Sequence, residues 1–161
     1  MVKGYSRTQI FLHWAVALLI LFNLIFSDAM SDLWRQIKQT GPTPITFGAW
    51  AHIIVGVAVL AFVAWRLVLR VTRGVPHAPA GTKPLLKLAG DAGHIALYAL
   101  MIALPITGLL AFYGGLEDLG ELHGEVLKSL LWALIALHVV AAIYHHVFLK
   151  DGLLNRMRKA G

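Results

Sequence analysis

The sequence contains no cysteine. That excludes disulfides, cysteine-ligated zinc, iron–sulfur clusters and covalent attachment of c-type haem, which needs a Cys-x-x-Cys-His motif. It leaves open a non-covalent cofactor held by histidine. Charge is scarce as well. Asp, Glu, Lys and Arg make up 14% of the 161 residues and hydrophobic residues 58%, whereas a soluble domain carries about 25% charged residues. A soluble chain of this size cannot hide so much apolar surface. Acids are the scarcer sign, with eight against fourteen bases. Six of them (Asp28, Asp32, Glu117, Asp118, Glu121 and Glu125) fall in the first and third connections between apolar runs, on the side that holds few bases.

Four long apolar runs are present: about Ile10 to Phe26, Ala49 to Leu69, Ala92 to Phe112, and Leu130 to Leu149. Each approaches the roughly 20 residues that a helix needs to cross about 30 Å of hydrocarbon. The runs are unbroken rather than alternating, and in lipid only helices or closed barrels satisfy their backbone. The expected fold is all-α: an integral membrane four-helix bundle forming one domain over residues 1–161. The first run contains His13 and Asn23 and lacks a small-x-small site at Phe26-Ser27-Asp28. It therefore reads as a retained helix rather than a signal peptide.

The bases sort by segment. Lys3 and Arg7 precede the first run, Arg66, Arg70, Arg73, Lys83 and Lys87 lie between the second and third, and Lys150, Arg156, Arg158 and Lys159 follow the fourth. Only Arg35, Lys38 and Lys128 fall on the other side. The positive-inside rule then places both termini in the cytoplasm. The net charge of +6 is read as this topology signal. Nucleic-acid binding is disfavoured, because the bases flank apolar helices and are not interleaved with exposed aromatics.

The connections carry their own signals. Thr72 to Pro84 is rich in Pro and Gly and reads as irregular. Ser31 to Gly48 begins with a stretch suited to a short interfacial helix, with Trp34 at headgroup depth. Gly114-Gly115 is expected to end the third span, and the later part of Tyr113 to Glu125 to extend the fourth outward. Pro105 marks an expected kink. Gly56, Gly93 and Gly108 are candidates for close helix approach.

Eight histidines are present. His77 lies in the irregular connection, whereas His13, His52, His94, His123, His138, His145 and His146 lie in or beside the apolar runs. A polar side chain in hydrocarbon is costly unless satisfied. One such histidine is commonly a hydrogen-bonded packing residue, but seven point to a common purpose. Zinc and copper sites draw histidines together, often with carboxylate or cysteine. Di-iron bundles need several inward Glu residues with Glu-x-x-His motifs, and proton relays usually employ buried acids. Here the acids lie elsewhere. Haem b fits better, because an apolar macrocycle suits a bundle core and its iron takes one imidazole from each face.

His123 and His138 are 15 residues apart, or about 22 Å along one helix, rotated about 60° from eclipsed. Two ligands at two levels suggest two stacked haems, each with a partner histidine on another helix. His52 starts the second run at the level of His123. At the other level, depth counting leaves the choice open: His13 is matched by His138 or by His145, and His94 lies on the same side.

The segments "YSRTQIFLHW", "HIIVGVAVLAFVAWRLVLR", "AGHIALYALMIALPITGLL" and "ALHVVAAIYHHVFLKDGLLNRM" resemble, in order and over nearly the whole chain, the bacterial cytochrome b561 family. The family is similar in design to the cytochrome b subunits of respiratory hydrogenases and formate dehydrogenases. The resemblance implies four helices, two bis-histidine b haems and a place in the bacterial inner membrane. It implies His13 and His138 as ligands of the cytoplasmic-side haem, and His52 and His123 as ligands of the periplasmic-side haem. The family's last-helix ligands are typically one residue closer together. The extra residue falls near His123-Gly124-Glu125, where a bulge or loop end would absorb it.

The resemblance further implies superoxide oxidation, with electrons from periplasmic superoxide passing to ubiquinone. The competing expectation is a membrane anchor and electron conduit for a partner dehydrogenase, hydrogenase or periplasmic redox protein. Short outer connections favour the first. His94, His145, His146 and Lys150 are candidates for handling quinone and its protons, against a plainer reading as interfacial side chains and a snorkelling lysine. Arg7, Arg66 and Arg70 suit haem propionates, since Arg pairs well with carboxylates, although topology anchoring also accounts for them. Arg35, Lys38 and Lys128 are candidates to attract anionic superoxide. Their side carries more acids than bases, so only a local arrangement would serve.

Overall fold

The computed structural model describes residues 4–79 and 81–161; Lys3, counted above among the bases, lies outside them. The chain runs α1 (Arg7–Ile25), α2 (Asp28–Thr40), α3 (Phe47–Arg73), α4 (Pro84–Gly114), α5 (Glu117–Glu121) and α6 (Lys128–Tyr144). A π-helical segment, Leu122–Leu127, joins α5 to α6, and a second, His145–Leu149, follows α6. A 3-10 turn at Leu154–Met157 comes last. Among the described residues there is no strand. Four units are long and apolar enough to cross a membrane: α1, α3, α4 and the continuous helix Glu117–Leu149.

Local chemistry sets the boundaries. Ser6 caps α1 through a reciprocal box in which its hydroxyl accepts from the Gln9 N–H at 3.3 Å and the Gln9 side chain accepts from the Ser6 N–H at 2.9 Å. Gln9 is buried, and its Nε2 donates to the Gly74 carbonyl at 3.1 Å, tying the start of α1 to the end of α3. Thr46 caps α3 by accepting from the Ala49 N–H. Pro84 opens α4, where its missing N–H costs nothing. Gly115, at φ 67°, ends α4 in the left-handed region.

The N- and C-terminal segments meet: the Gly161 N–H donates to the Tyr5 carbonyl at 3.3 Å. Trp14 Nε1 donates to the Met157 carbonyl at 2.9 Å, and Arg156 donates to the His77 carbonyl at 2.6 Å. This is the terminal end of the bundle; α2 and the α4–α5 turn lie at the far end. Between the two ends, Val16, Ile20, Val59, Val63, Met101 and Leu131 form a core drawn from all four spans. No span buries more than 17% of its apolar window within the protein. Large side chains such as Phe11, Leu18, Ile54 and Leu137 face outward. A surface this apolar is solvated by lipid, where the hydrophobic effect that organises a soluble core does not hold helices together.

The amphipathic segment expected near Trp34 is α2, anchored by the fully buried Leu33. Trp34, next to Leu33 on α2, is half-buried. Its indole packs so closely on Gly120 that a Cβ there would lie 2.6 Å from the ring. Of the three glycines expected at close approaches, only Gly108 is pressed: a Cβ would meet the His123 ring at 3.0 Å. At Gly56 the nearest contact is an ordinary 3.7 Å, and Gly93 faces open space. Helix α4 continues through Pro105.

Candidate functional site

At the far end, the second turn of α3 supplies His52 and the π-helical segment supplies His123. Their ring centroids are 6.2 Å apart with an interplanar angle of 75°. His123 Nδ1 lies 2.8 Å from the Leu104 carbonyl oxygen. A carbonyl can only accept, so Nδ1 carries the proton and the Nε2 lone pair is left free. The wide turn at Leu122–Leu127 coincides with the extra residue counted in the sequence. A π turn spreads one additional residue without breaking the helix, so His123 still faces the bundle. A cavity of about 180 Å³ lies between the helices here, lined by Asn23, Trp34, His52, Gly108, His123 and Lys128 among others.

At the terminal end, α1 supplies His13 and α6 supplies His138, again with centroids 6.2 Å apart, at 54°. His94 of α4 joins them, its ring 5.6 Å from His138 in an edge-on arrangement. Depth counting left His138 and His145 equal as partners for His13; the structure sets His138 against His13 and turns His145 to Asp151. Arg66 lies over the Tyr98 ring, 5.6 Å from its centroid. Arg70 follows one turn later, half-buried, whereas Arg7 is exposed at the start of α1.

His145 Nδ1 and Asp151 Oδ2 are 2.5 Å apart, and both side chains are 15% exposed. Asp151 also accepts from the Leu153 N–H at 3.0 Å. Burial pushes the Asp151 carboxyl up, but the hydrogen bonds from His145 and Leu153 prevail and hold its pKa below the ordinary carboxylate value. His146 and Lys150 are exposed at the end of this helix, with Lys150 at φ 51°. The four residues grouped in sequence as quinone candidates thus divide. His94 belongs to the His13–His138 cluster, and the other three lie beyond α6.

The three far-end bases also divide. Arg35 pairs with Asp32 at 3.4 Å. Lys38 reaches Glu121 at 3.1 Å and Glu117 at 3.6 Å, which pushes the Lys38 ammonium up. Lys128 has no carboxylate within ion-pair distance among the described residues, and it lines the cavity beside His52 and His123. Asn23, Leu104, Trp34, Tyr98 and Asp151 are the site neighbours that sequence reasoning missed as functional. Only Asn23 carried a sequence signal, as an amide inside an apolar run.

The donor set discriminates between kinds of metal. Among the described residues, no three or more His, Cys, Asp or Glu side chains are grouped as ligands for a bare ion. Each facing pair offers two imidazoles, which is what a metal already held by four porphyrin nitrogens requires. Distance agrees. An imidazole nitrogen binds a transition metal at about 2.0 Å and the ring centre lies roughly 1.1 Å behind it, so imidazoles on opposite faces of one metal have centroids about 6.2 Å apart. Both pairs meet that distance, and His94–His138 is shorter.

The family model for prokaryotic cytochrome b561 matches residues 4–160. The chain is 39% identical over 157 residues to cytochrome b562 of Cereibacter sphaeroides, covering 97% of this chain and 96% of that one. It is 28% identical over 180 residues to a "Probable superoxide oxidase CybB" of Yersinia pestis, covering 98% and 97%. It is 29% identical over 177 residues to cytochrome b561 homolog 1 of Escherichia coli, covering 97% of each. Four apolar spans, facing imidazoles and a match over almost the full length together place the chain in the prokaryotic cytochrome b561 family, whose members are membrane-embedded, haem b-binding electron-transfer proteins.

Proposed function

We propose that the chain holds two b haems, one on His52 and His123 and one on His13 and His138, and oxidises superoxide on one side of the bacterial inner membrane while reducing ubiquinone on the other. The observation that carries the reading is the pair of matched 6.2 Å imidazole separations at two levels of the bundle. Haem b supplies reversible one-electron chemistry when bound. The charge asymmetry of the loops supports the terminal end as cytoplasmic and the far end as periplasmic.

The chain's own residues supply the rest. The Leu104 carbonyl fixes the His123 tautomer and leaves Nε2 as the nitrogen that would hold haem iron. Lys128, unpaired in the far-end cavity, attracts an anion there; Arg35 and Lys38 are already spent on carboxylates. At the terminal end, Arg66 and Arg70 offer donors to haem propionates. His94 lies where it can pass a proton towards a bound quinone, and the His145–Asp151 pair, with His146 and Lys150, exchanges protons with the cytoplasm. The overall reaction balances as two superoxide anions, one ubiquinone and two protons giving two dioxygen and one ubiquinol. The likeness to a relative named as a probable superoxide oxidase supports this donor over a partner protein.

Purified protein exposed to a superoxide generator should show haem reduction within the mixing time, and added ubiquinone should reoxidise it. Haems that stay oxidised under superoxide, yet are reduced by a partner dehydrogenase or periplasmic redox protein, would establish the anchor-and-conduit function instead.

A further inference from the structure

The four facing histidines differ in what their second ring nitrogen meets. His123 Nδ1 has its acceptor in the Leu104 carbonyl. His52 Nδ1, like His13 Nδ1 at the other level, is buried and has no hydrogen-bond partner among the described residues. Across the same cavity, Asn23 of α1 has the complementary defect: its Oδ1 is buried and also unpartnered. The Asn23 amide is already held at this histidine, because its Nδ2 donates to the His52 backbone carbonyl at 3.1 Å. An unpartnered ring nitrogen and an unpartnered amide oxygen thus lie on neighbouring residues in an apolar wall, where each is costly to leave unsatisfied.

We propose that Asn23 is a positioning residue for the far-end haem: its Oδ1 accepts the Nδ1–H of His52, directly or through one water, as the Leu104 carbonyl does for His123. This rests on the bis-histidine reading above. Binding iron through Nε2 fixes the proton on Nδ1, so the acceptor is needed once the haem is in place. The bond sets the ring's orientation and raises its basicity. A more basic axial imidazole favours the oxidised metal. Asn23 therefore lowers the potential of one haem and leaves the other untouched. The same contact accounts for an Asn in the last turn of α1, inside an apolar run where Leu would be easier to insert.

The test is a potentiometric titration of the purified haem-loaded protein, resolved by low-temperature spectra, with Asn23→Leu and Asn23→Asp. Asn23→Leu should raise the far-end midpoint potential and leave the terminal-end one unchanged. Asn23→Asp, a stronger acceptor, should lower the far-end value and move that haem's low-spin electron paramagnetic resonance signal. An unmoved far-end potential in either variant, or equal shifts of both haems, overturns the proposal. If Asn23→Leu does not retain the far-end haem, Asn23→Asp decides alone, and a far-end potential that does not fall overturns it. His52→Ala separates the two layers. Retention of both haems in that variant refutes the ligand assignment itself, whereas loss of one alongside inert Asn23 variants refutes only the role of Asn23.

Discussion

His123 donates its Nδ1 proton to the Leu104 carbonyl across 2.8 Å, and that bond joins α4 to the helix that follows it. It leaves Nε2 as the only nitrogen of the ring able to bind metal. The histidines should therefore fail in pairs. His52→Ala and His123→Ala should each lose the far-end haem and keep the other. His13→Ala and His138→Ala should do the reverse. His94→Ala should keep both haems and slow ubiquinone reduction. Haem-to-protein ratios and reduced-minus-oxidised spectra of the purified variants check each outcome.

Gly108 is tight against its neighbour: a Cβ would stand 3.0 Å from the His123 ring, and the branched side chain of Val would press further. The imidazole is held by its hydrogen bond and cannot swing away freely. Gly108→Val should expel the far-end haem while leaving the terminal-end haem bound, whereas Gly93→Ala, facing open space, should change neither. Spectral quantification of the two haems distinguishes the cases.

Lys128 is the far-end base left without a carboxylate. Lys128→Gln should slow superoxide-driven haem reduction by roughly tenfold at low ionic strength, the lower end of what electrostatic steering gives, and should flatten its salt dependence. Arg35→Gln should stay within about twofold, since exposed ion pairs are worth little. Stopped-flow rates at two salt concentrations test both. Equal losses in the two variants would assign attraction to the whole surface instead.

Asp151 has a folded pKa held below the ordinary 3.8. A depressed carboxylate pKa stabilises the fold above the unfolded value, and the contribution disappears as pH falls through the folded one. Asp151→Asn should therefore lower stability at pH 7 by roughly 1 kcal/mol, the usual net worth of a buried hydrogen bond. The gap from wild type should close below about pH 3.8. Thermal unfolding in detergent across that range gives the comparison.

The four spans were legible because lipid leaves a long, unbroken apolar signature. Their partners were legible less evenly. The 15-residue interval between His123 and His138, one longer than the family resemblance implies, pointed to a local irregularity, and the structure gives it the form of a π turn, which no residue type specifies. The Leu104 acceptor was invisible because a backbone carbonyl has no letter in the sequence. The packing of Trp34 on Gly120 was hidden because the two lie far apart in the chain. The same distance hid the pairing of Lys38 with Glu117 and Glu121, and with it the difference between Lys38 and Lys128. Three glycines looked alike as packing residues. Only the fold shows that Gly108 alone is pressed.

The wide turn at Leu122–Leu127 gives the last span one place where its length can change without turning its far half. Deleting a residue there would tighten the turn to an ordinary α-helical one and leave His138 pointing as before. The same deletion between Lys128 and His138 would swing His138 by about 100°, away from His13. Insertions and deletions between related chains should accordingly be tolerated at that turn and selected against between Lys128 and His138.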